Sequence, residues 1–517
     1  MTAAVRQGSI IGERAPIFWG ACVAIALGVL LHLPMLAMAH SMGNHLYGMP
    51  MDTGMWIGMG LIILGVPAAI YGALPSHRAP HGSHAGTSFE APDTTPLNRW
   101  HAVVLLVLTL GLVIDVMKPA TLGFVLPGMR AEYGIAKSTA AFLPFVALTG
   151  TTVGSFLWGW LADVYGRRVS ILLSTILFVS TSICGAMPLF ELNLLMCFLM
   201  GCSAGGMLPV VYTLLAEIMP PRHRSWVLVL VGGTGLIGGY LAASGAAHTF
   251  EPSWGWRALW LQGFPTGLFL LALAKFIPES PRFLAERGRT EELAVMQQKY
   301  GIVPRPREPV PADAAVAAQR HGKLTTALVI TALAWSFINF GLLLWLPTDL
   351  KERGYSSELA SGIIASSALV ALPTILIAAW TYSKISSKWT LVGTIVVTFA
   401  GLVGALLPTH ILSWEPLLIA VIALLIVGTN GMIAVLLPYS AENYPLGIRG
   451  RATGLIAGAS KFGGVAVQGF ALAGFIPTLV GAALALVAPL ALSASLVSWA
   501  GRETRGRSLR ELEAGTY

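Results

Sequence analysis

Residues 159–168 read Gly-Trp-Leu-Ala-Asp-Val-Tyr-Gly-Arg-Arg. Apolar runs of helix length flank this stretch on both sides. It therefore reads as a short charged turn between two membrane spans. Asp163 stands four residues before Arg167, with Gly166 and Arg168 beside it. Charge is costly at hydrocarbon depth and tolerated in the turns, so the pattern predicts a bundle of membrane helices.

Composition agrees. The 517 residues are 55% hydrophobic and 11% charged, with mean hydropathy +0.73. Soluble domains carry about 25% charged residues. A net charge of +8 could suggest nucleic acid, but the cations stand in short loops between spans, which excludes that partner class. Cys22, Cys184, Cys197 and Cys202 all fall within apolar runs, so they read as small packing residues rather than a disulfide or zinc set.

Runs of about 20 apolar residues, the length that crosses about 30 Å of hydrocarbon, occur fourteen times. Two lie near 17–38 and 55–74. Twelve core runs follow, at 102–126, 141–161, 169–188, 192–216, 225–247, 257–277, 326–348, 358–380, 389–408, 415–438, 451–472 and 476–499. With both termini in the cytoplasm, 24 of the 32 Lys and Arg fall in inside loops and four, Arg130, Lys137, Lys351 and Arg353, in outside loops. That bias sets the expected orientation. The first run, with Arg14 before it and Ala37-Met38-Ala39 after it, also has the look of a cleaved leader; its length favours a retained helix. The expected organisation is a hairpin and linker over 1–90, a six-helix half over 100–277, a cytoplasmic linker over 278–325 with a short helix at 291–300, and a second half over 326–517.

The halves echo each other. Ala216-Glu217-x-x-Pro220-x-x-x-Arg224 matches Ala441-Glu442-x-x-Pro445-x-x-x-Arg449, and Pro278-Glu279-Ser280 matches Arg502-Glu503-Thr504. Trp160 aligns with Trp380, so the opening turn's echo reads Ser383, Ser387 and Lys388. Parallel repeats of this kind place a substrate between two halves that rock around it.

The chain resembles the major facilitator superfamily over residues 100–512. The motifs that carry the likeness are the opening turn, A-E-I-M-P-P-R-H-R at 216–224, P-E-S-P-R-F-L at 278–284, A-E-N-Y-P-L-G-I-R-G at 441–450 and R-E-T-R-G-R-S-L at 502–509. They resemble those of sugar porters and metabolite:proton symporters. Trp345-Leu346-Pro347-Thr348, with Gly354-Tyr355-Ser356, is more similar to aromatic acid:proton symporters. The sugar porters' glutamine of the fifth core helix is Gly232 here, their paired glutamines of the seventh are replaced by Trp335-Ser336-Phe337-Ile338-Asn339, and their arginine of the fourth by Phe198. A sugar cargo is therefore disfavoured. The aromatic acid symporters' D-G-x-D is Asp115-Val116-Met117-Lys118, which keeps the first acid and turns the second into lysine.

The resemblance and the residues together imply a secondary transporter, not an enzyme, without a cofactor. It moves a small organic solute, an organic anion by preference, with protons by alternating access. Asp115 is the expected proton site. Lys118 and Lys461 are the expected countercharges, and Tyr212, Tyr240, Trp335, Asn339, Asn430 and Gln468 the uncharged cavity candidates. Asp163, Arg167, Arg168, Glu217, Arg224, Glu442 and Arg449 are the expected gate, forming ion pairs in one state only. The glycine-rich stretch 232–239 reads as a site of close helix contact, not a nucleotide loop. The expected setting is a bacterial inner membrane and the expected state a monomer. Two alternatives are a drug or metabolite exporter of the same fold, and a copper transporter using His32, Met35, Met38, His40, Met42, His45, Met49 and Met51 of the hairpin.

Overall fold

The computed structural model describes residues 14–74, 87–306, 321–444, 446–476 and 478–505; for 87, 88, 306 and 446–450 it describes the backbone alone. Helices dominate, and thirteen of those described are long and apolar enough to cross a membrane. The fourteenth expected span, 257–277, is a broken one. The helix Pro221–Leu261 carries Pro252 and the non-helical Gly255 (φ 68°, ψ 176°) in the turn expected between 247 and 257, and it ends inside the sixth span, at Leu261. The sixth core span then continues as Gly263–Leu273 and a 3-10 turn, Ala274–Phe276.

The added hairpin forms as Ala15–Leu30, Leu33–Ser41 and Thr53–Ala73. Pro34 opens the second piece, where its missing N–H costs nothing. The Asp52 side chain accepts from the Met55 N–H at 2.7 Å and caps the third. Small residues let the two arms touch: a Cβ on Gly58 would press on the Gly28 carbonyl, and one on Gly72 on the backbone of Phe18. Phe18, Ile25 and Val29 pack with Leu172, Ile176 and Val179 of the third core helix, Arg167–Ser180. That is why 89% of this helix's most apolar window is buried: the hairpin takes the place of lipid along it.

Two compact units follow from the backbone contacts. The first comprises Met1–Pro119, Thr149–Pro221 and Ser253–Arg307; the second comprises Ala120–Leu148, Arg222–Pro252 and Glu308–Tyr517. In the first unit, the segment before the first core helix (Arg99–Tyr133) pairs with the segment after the sixth. Strand β1 (Thr87–Glu90) runs antiparallel to β2 (Val303–Pro306), with Phe89 opposite Pro304. The helix expected at 291–300 is present as Thr290–Tyr300, ending on left-handed Gly301. Asn98 Nδ2 donates to the Lys299 carbonyl at 2.7 Å and fastens it below the first core helix.

In the second unit, one glycine of the stretch 232–239 makes a close helix contact. Gly233 lies so close to Ile375 that a side chain there would overlap it. The seventh core span is unusual: α-helix Gly322–Ser336, a π-helical turn Phe337–Leu343, then Leu346–Glu352. A π turn widens the helix and frees carbonyls, and such turns gather at functional sites.

Candidate functional site

At the basic-loop end of the first unit, the opening turn folds around one carboxylate. Glu279 Oε1 accepts from the backbone N–H groups of Arg167 at 2.7 Å, Ser280 at 2.9 Å and Arg168 at 3.5 Å. It thereby caps the third core helix, whose first N–H groups have no partner within the helix. Burial pushes the Glu279 carboxyl above its ordinary range, against the pull of these hydrogen bonds. The Arg167 side chain, itself buried, bridges the neighbouring acids. Its Nη1 lies 3.2 Å from Asp163 Oδ1 and its Nη2 3.3 Å from Glu217 Oε1. Asp163 is largely exposed, so the Glu217 arm is the sheltered one. Asp163, Arg167, Arg168 and Glu217 are thus one assembly. Glu279, the residue that organises it, stands out in sequence as part of the repeat and of the motif at 278–284, not as a gate residue.

The second unit repeats the plan with different chemistry. Glu503 accepts from Ser387 N–H at 2.9 Å and from the Ser386 and Ser387 hydroxyls, capping the ninth core helix, Ser387–Ala405. Burial alone would raise the Glu503 carboxyl. Hydrogen bonds from Ser386, Ser387 and Arg505 outweigh it and hold the group below its ordinary range. Glu442 accepts from the hydroxyls of Ser225 at 2.5 Å, Tyr382 at 2.8 Å and Thr504 at 2.7 Å. Where the first unit sets an arginine between acids, the second sets hydroxyls around them. Arg224 is half-buried, and the side chain of Arg449 lies outside the described residues.

At membrane depth, Asp115 and Lys118 are both buried in the first unit. Lys118 Nζ donates to the Phe178 carbonyl at 2.5 Å and to Thr181 Oγ1 at 2.7 Å, and sits 4.4 Å from the Phe178 ring centre. Its Nζ is held by the end of the third core helix. The Tyr212 hydroxyl is buried without a hydrogen-bond partner among the described residues.

The other candidates lie in the second unit, and three converge on the π turn. Tyr240 donates from its hydroxyl to the Leu343 carbonyl at 3.0 Å, and Gln468 Nε2 to the Phe340 carbonyl at 2.6 Å. The Trp335 ring stands edge-on to Phe340 at 5.6 Å. Gln468 Oε1 also accepts from Trp345 Nε1 at 3.3 Å, so this amide braces the helix rather than projecting freely. Asn339 lies within the turn itself. Asn430 Nδ2 returns to its own helix at the Ile426 carbonyl, 3.0 Å. Lys461 is half-buried in the eleventh core helix, Leu446–Leu472. Trp335 is buried, and its Nε1–H has no hydrogen-bond partner among the described residues.

The four cations of the expected outside loops are all engaged within the second unit. Glu352 takes Arg130 at 3.2 Å and Lys137 at 2.7 Å; Arg353 pairs with Asp349 at 2.7 Å; Lys351 donates to Ser357 at 3.0 Å. Glu352 is a site residue that charge counting overlooks, because the count follows cations alone. Two of the hairpin's three histidines make contacts with neighbouring protein groups. His32 Nδ1 donates to the Gly28 carbonyl at 2.8 Å, and His40 stacks on Trp254 at 4.2 Å. Among the described residues no three His, Cys, Asp or Glu side chains gather closely enough to hold a metal ion.

Comparison with known proteins gives this geometry a family context. Residues 108–468 match the model of the Major Facilitator Superfamily. The chain is 26% identical over 446 residues to a niacin transporter, NiaP, of Acinetobacter baylyi, covering 81% of this chain and 98% of that one. It is 27% identical over 400 residues to the 4-hydroxybenzoate transporter PcaK of the same species, covering 72% and 84%. Among solved structures, the proton:xylose symporter XylE bound to 6-bromo-6-deoxy-D-glucose aligns with TM-score 0.62 at 19% identity, over 80% of this chain and 98% of that one.

Proposed function

The chain belongs to the Major Facilitator Superfamily as a transporter of a small organic solute, and from that premise we propose that its cargo is an aromatic monocarboxylate moved together with protons. The observation that carries the reading is Trp335. A buried indole N–H without a partner costs about 1–3 kcal/mol, and a carboxylate oxygen arriving beside it removes that cost. Phe340 offers a ring edge next to it, and the π turn supplies the local irregularity that a ligand can exploit. Two relatives, matched along most of their length, are named for niacin and for 4-hydroxybenzoate. Both solutes are aromatic rings bearing one carboxylate.

In this reading the segments 100–277 and 326–517 rock about the cargo, both termini face the cytoplasm, and the protein works as a monomer in a bacterial inner membrane. Asp115 loads and releases the proton. Lys118 positions the neighbourhood of Asp115 from its seat on the third core helix, and Lys461 supplies the cargo's countercharge, with Tyr212, Asn339 and Asn430 lining the path. The Arg167 and Glu442 assemblies, with Arg224 and Arg449, hold the cytoplasmic gate.

Uptake of radiolabelled nicotinate, 4-hydroxybenzoate and xylose into proteoliposomes tests it. The two acids enter and xylose does not. Trp335→Phe keeps the ring, removes the donor, and weakens acid binding about tenfold. Equal uptake of xylose, or unchanged affinity in the variant, sinks the cargo assignment. An Asp115→Asn protein whose uptake still follows an imposed pH gradient sinks the proton assignment.

A further inference from the structure

A crevice of about 210 Å³ lies where the hairpin meets the turn between the fifth and sixth core helices, wholly within the first unit. Its two walls differ along their length. Leu33 and Leu36 of the hairpin face Ala258 and Leu261 of the core, and these make one apolar end. Asn44, Trp254 and Arg257 make the other. Arg257 and Leu261 stand four helical residues apart beyond the kink at Gly255, about 6 Å of rise, so polarity falls off over about one helical turn.

The polar end is fixed in place. Arg257, only 2% exposed, donates from Nη1 to the carbonyls of Gly185 at 3.0 Å and Met187 at 2.8 Å. Asn44 Nδ2 donates to the Ser253 carbonyl at 3.3 Å, and His40 stacks on Trp254. Gly255 takes its positive φ here, and a Cβ on it would come within 3.0 Å of Asn44 Cβ. Ala37 and Trp254 at the rim are exposed, so the crevice opens sideways onto the outer surface of the bundle. In a bilayer that surface is bathed in acyl chains. The lining includes a cation and no carboxylate.

We propose that this crevice binds one membrane phospholipid, its acyl chain between the Leu36 and Leu261 walls and its anionic headgroup at Asn44 and Arg257. The lipid then completes the contact between hairpin and core. This does not depend on the cargo, since the residues involved are separate from those assigned to transport.

The test uses the full-length protein. Native mass spectrometry after detergent exchange shows one retained phosphatidylglycerol per chain, and phosphatidylcholine is retained several-fold less. Ala37→Phe and Ala258→Phe fill the crevice from opposite walls. Each cuts retention about tenfold while the melting temperature stays within a few degrees. Undiminished lipid in both variants overturns the proposal, as does retention of nicotinate at this site in place of lipid. Equal retention of phosphatidylcholine overturns the anionic headgroup. Should both variants elute as aggregates, photolabelling of the unaltered protein decides. Phosphatidylglycerol with a diazirine at its chain end labels 33–39 and 258–261 above all other lipid-facing segments; even labelling around the bundle overturns the site.

Discussion

Gly166 holds φ 103° and ψ 158° at the start of the third core helix, a region open essentially to glycine. A Cβ there would also land on the Glu279 carboxylate. Gly166→Ala therefore costs about 1–3 kcal/mol in backbone strain and displaces the cap as well. Reduced folded yield and a lowered melting point in detergent are expected, with an unchanged melting point counting against the cap. Glu503 makes a pH prediction. Its carboxyl is held below its ordinary value of 4.5, so its contribution is present above that value and is lost as the pH falls through the lowered one. Glu503→Gln should melt below the unaltered protein at pH 7, and the gap should close as the pH drops under about 4.5. A gap that stays constant with pH would leave the charge of Glu503 irrelevant to the cap. Asp163 and Arg167 were legible in sequence as charged residues of one short turn. The Glu279 cap was not, since it joins residues 112 apart and no local pattern marks it.

At the scale of elements, apolar length alone foretold nearly all the spans, because hydrocarbon leaves helices few alternatives. It could not foretell interruptions. The sixth span is split at Gln262, where Pro221–Leu261 ends and Gly263–Leu273 begins, and a hydropathy window averages such a split away. The π turn of the seventh span is likewise invisible to composition, since it shows only in which carbonyls find which donors. Gln468 read as a cavity amide from sequence, yet its two ends are tied to Trp345 and Phe340. Gln468→Leu leaves the Phe340 carbonyl without this donor, at a cost of about 1–3 kcal/mol. Faster hydrogen exchange confined to 337–346 is the expected signature. If exchange there is unchanged, the brace is unimportant and Gln468 returns as a candidate for direct contact with the cargo.

At the scale of the molecule, the repeat explains an asymmetry that neither half shows alone. Both carboxylate caps, Glu279 and Glu503, survive, while the Arg167 bridge of one half is replaced in the other by Ser387, Thr504 and Tyr382. In a rocking transporter, charged and hydroxyl networks differ in what opening costs, because separated charges need water sooner than separated hydroxyls do. A further ion-pair cluster lies wholly within the second unit. Glu352 binds Arg130 and Lys137 at once, and its side chain is 45% exposed, which limits each pair to a modest contribution. Under the proposed alternating access, the two pairs together would bias closure by about 1 kcal/mol, a several-fold change in the ratio of states. Glu352→Gln should therefore increase modification of a cysteine introduced at Ala140, buried one helical turn beyond Lys137, by a reagent added from outside. The increase should be several-fold at low salt and shrink at high salt, where screening already weakens the pairs. A salt-independent increase would mean that Glu352 acts by packing, and no increase would mean that this end is held shut by the apolar contacts of the seventh core helix instead.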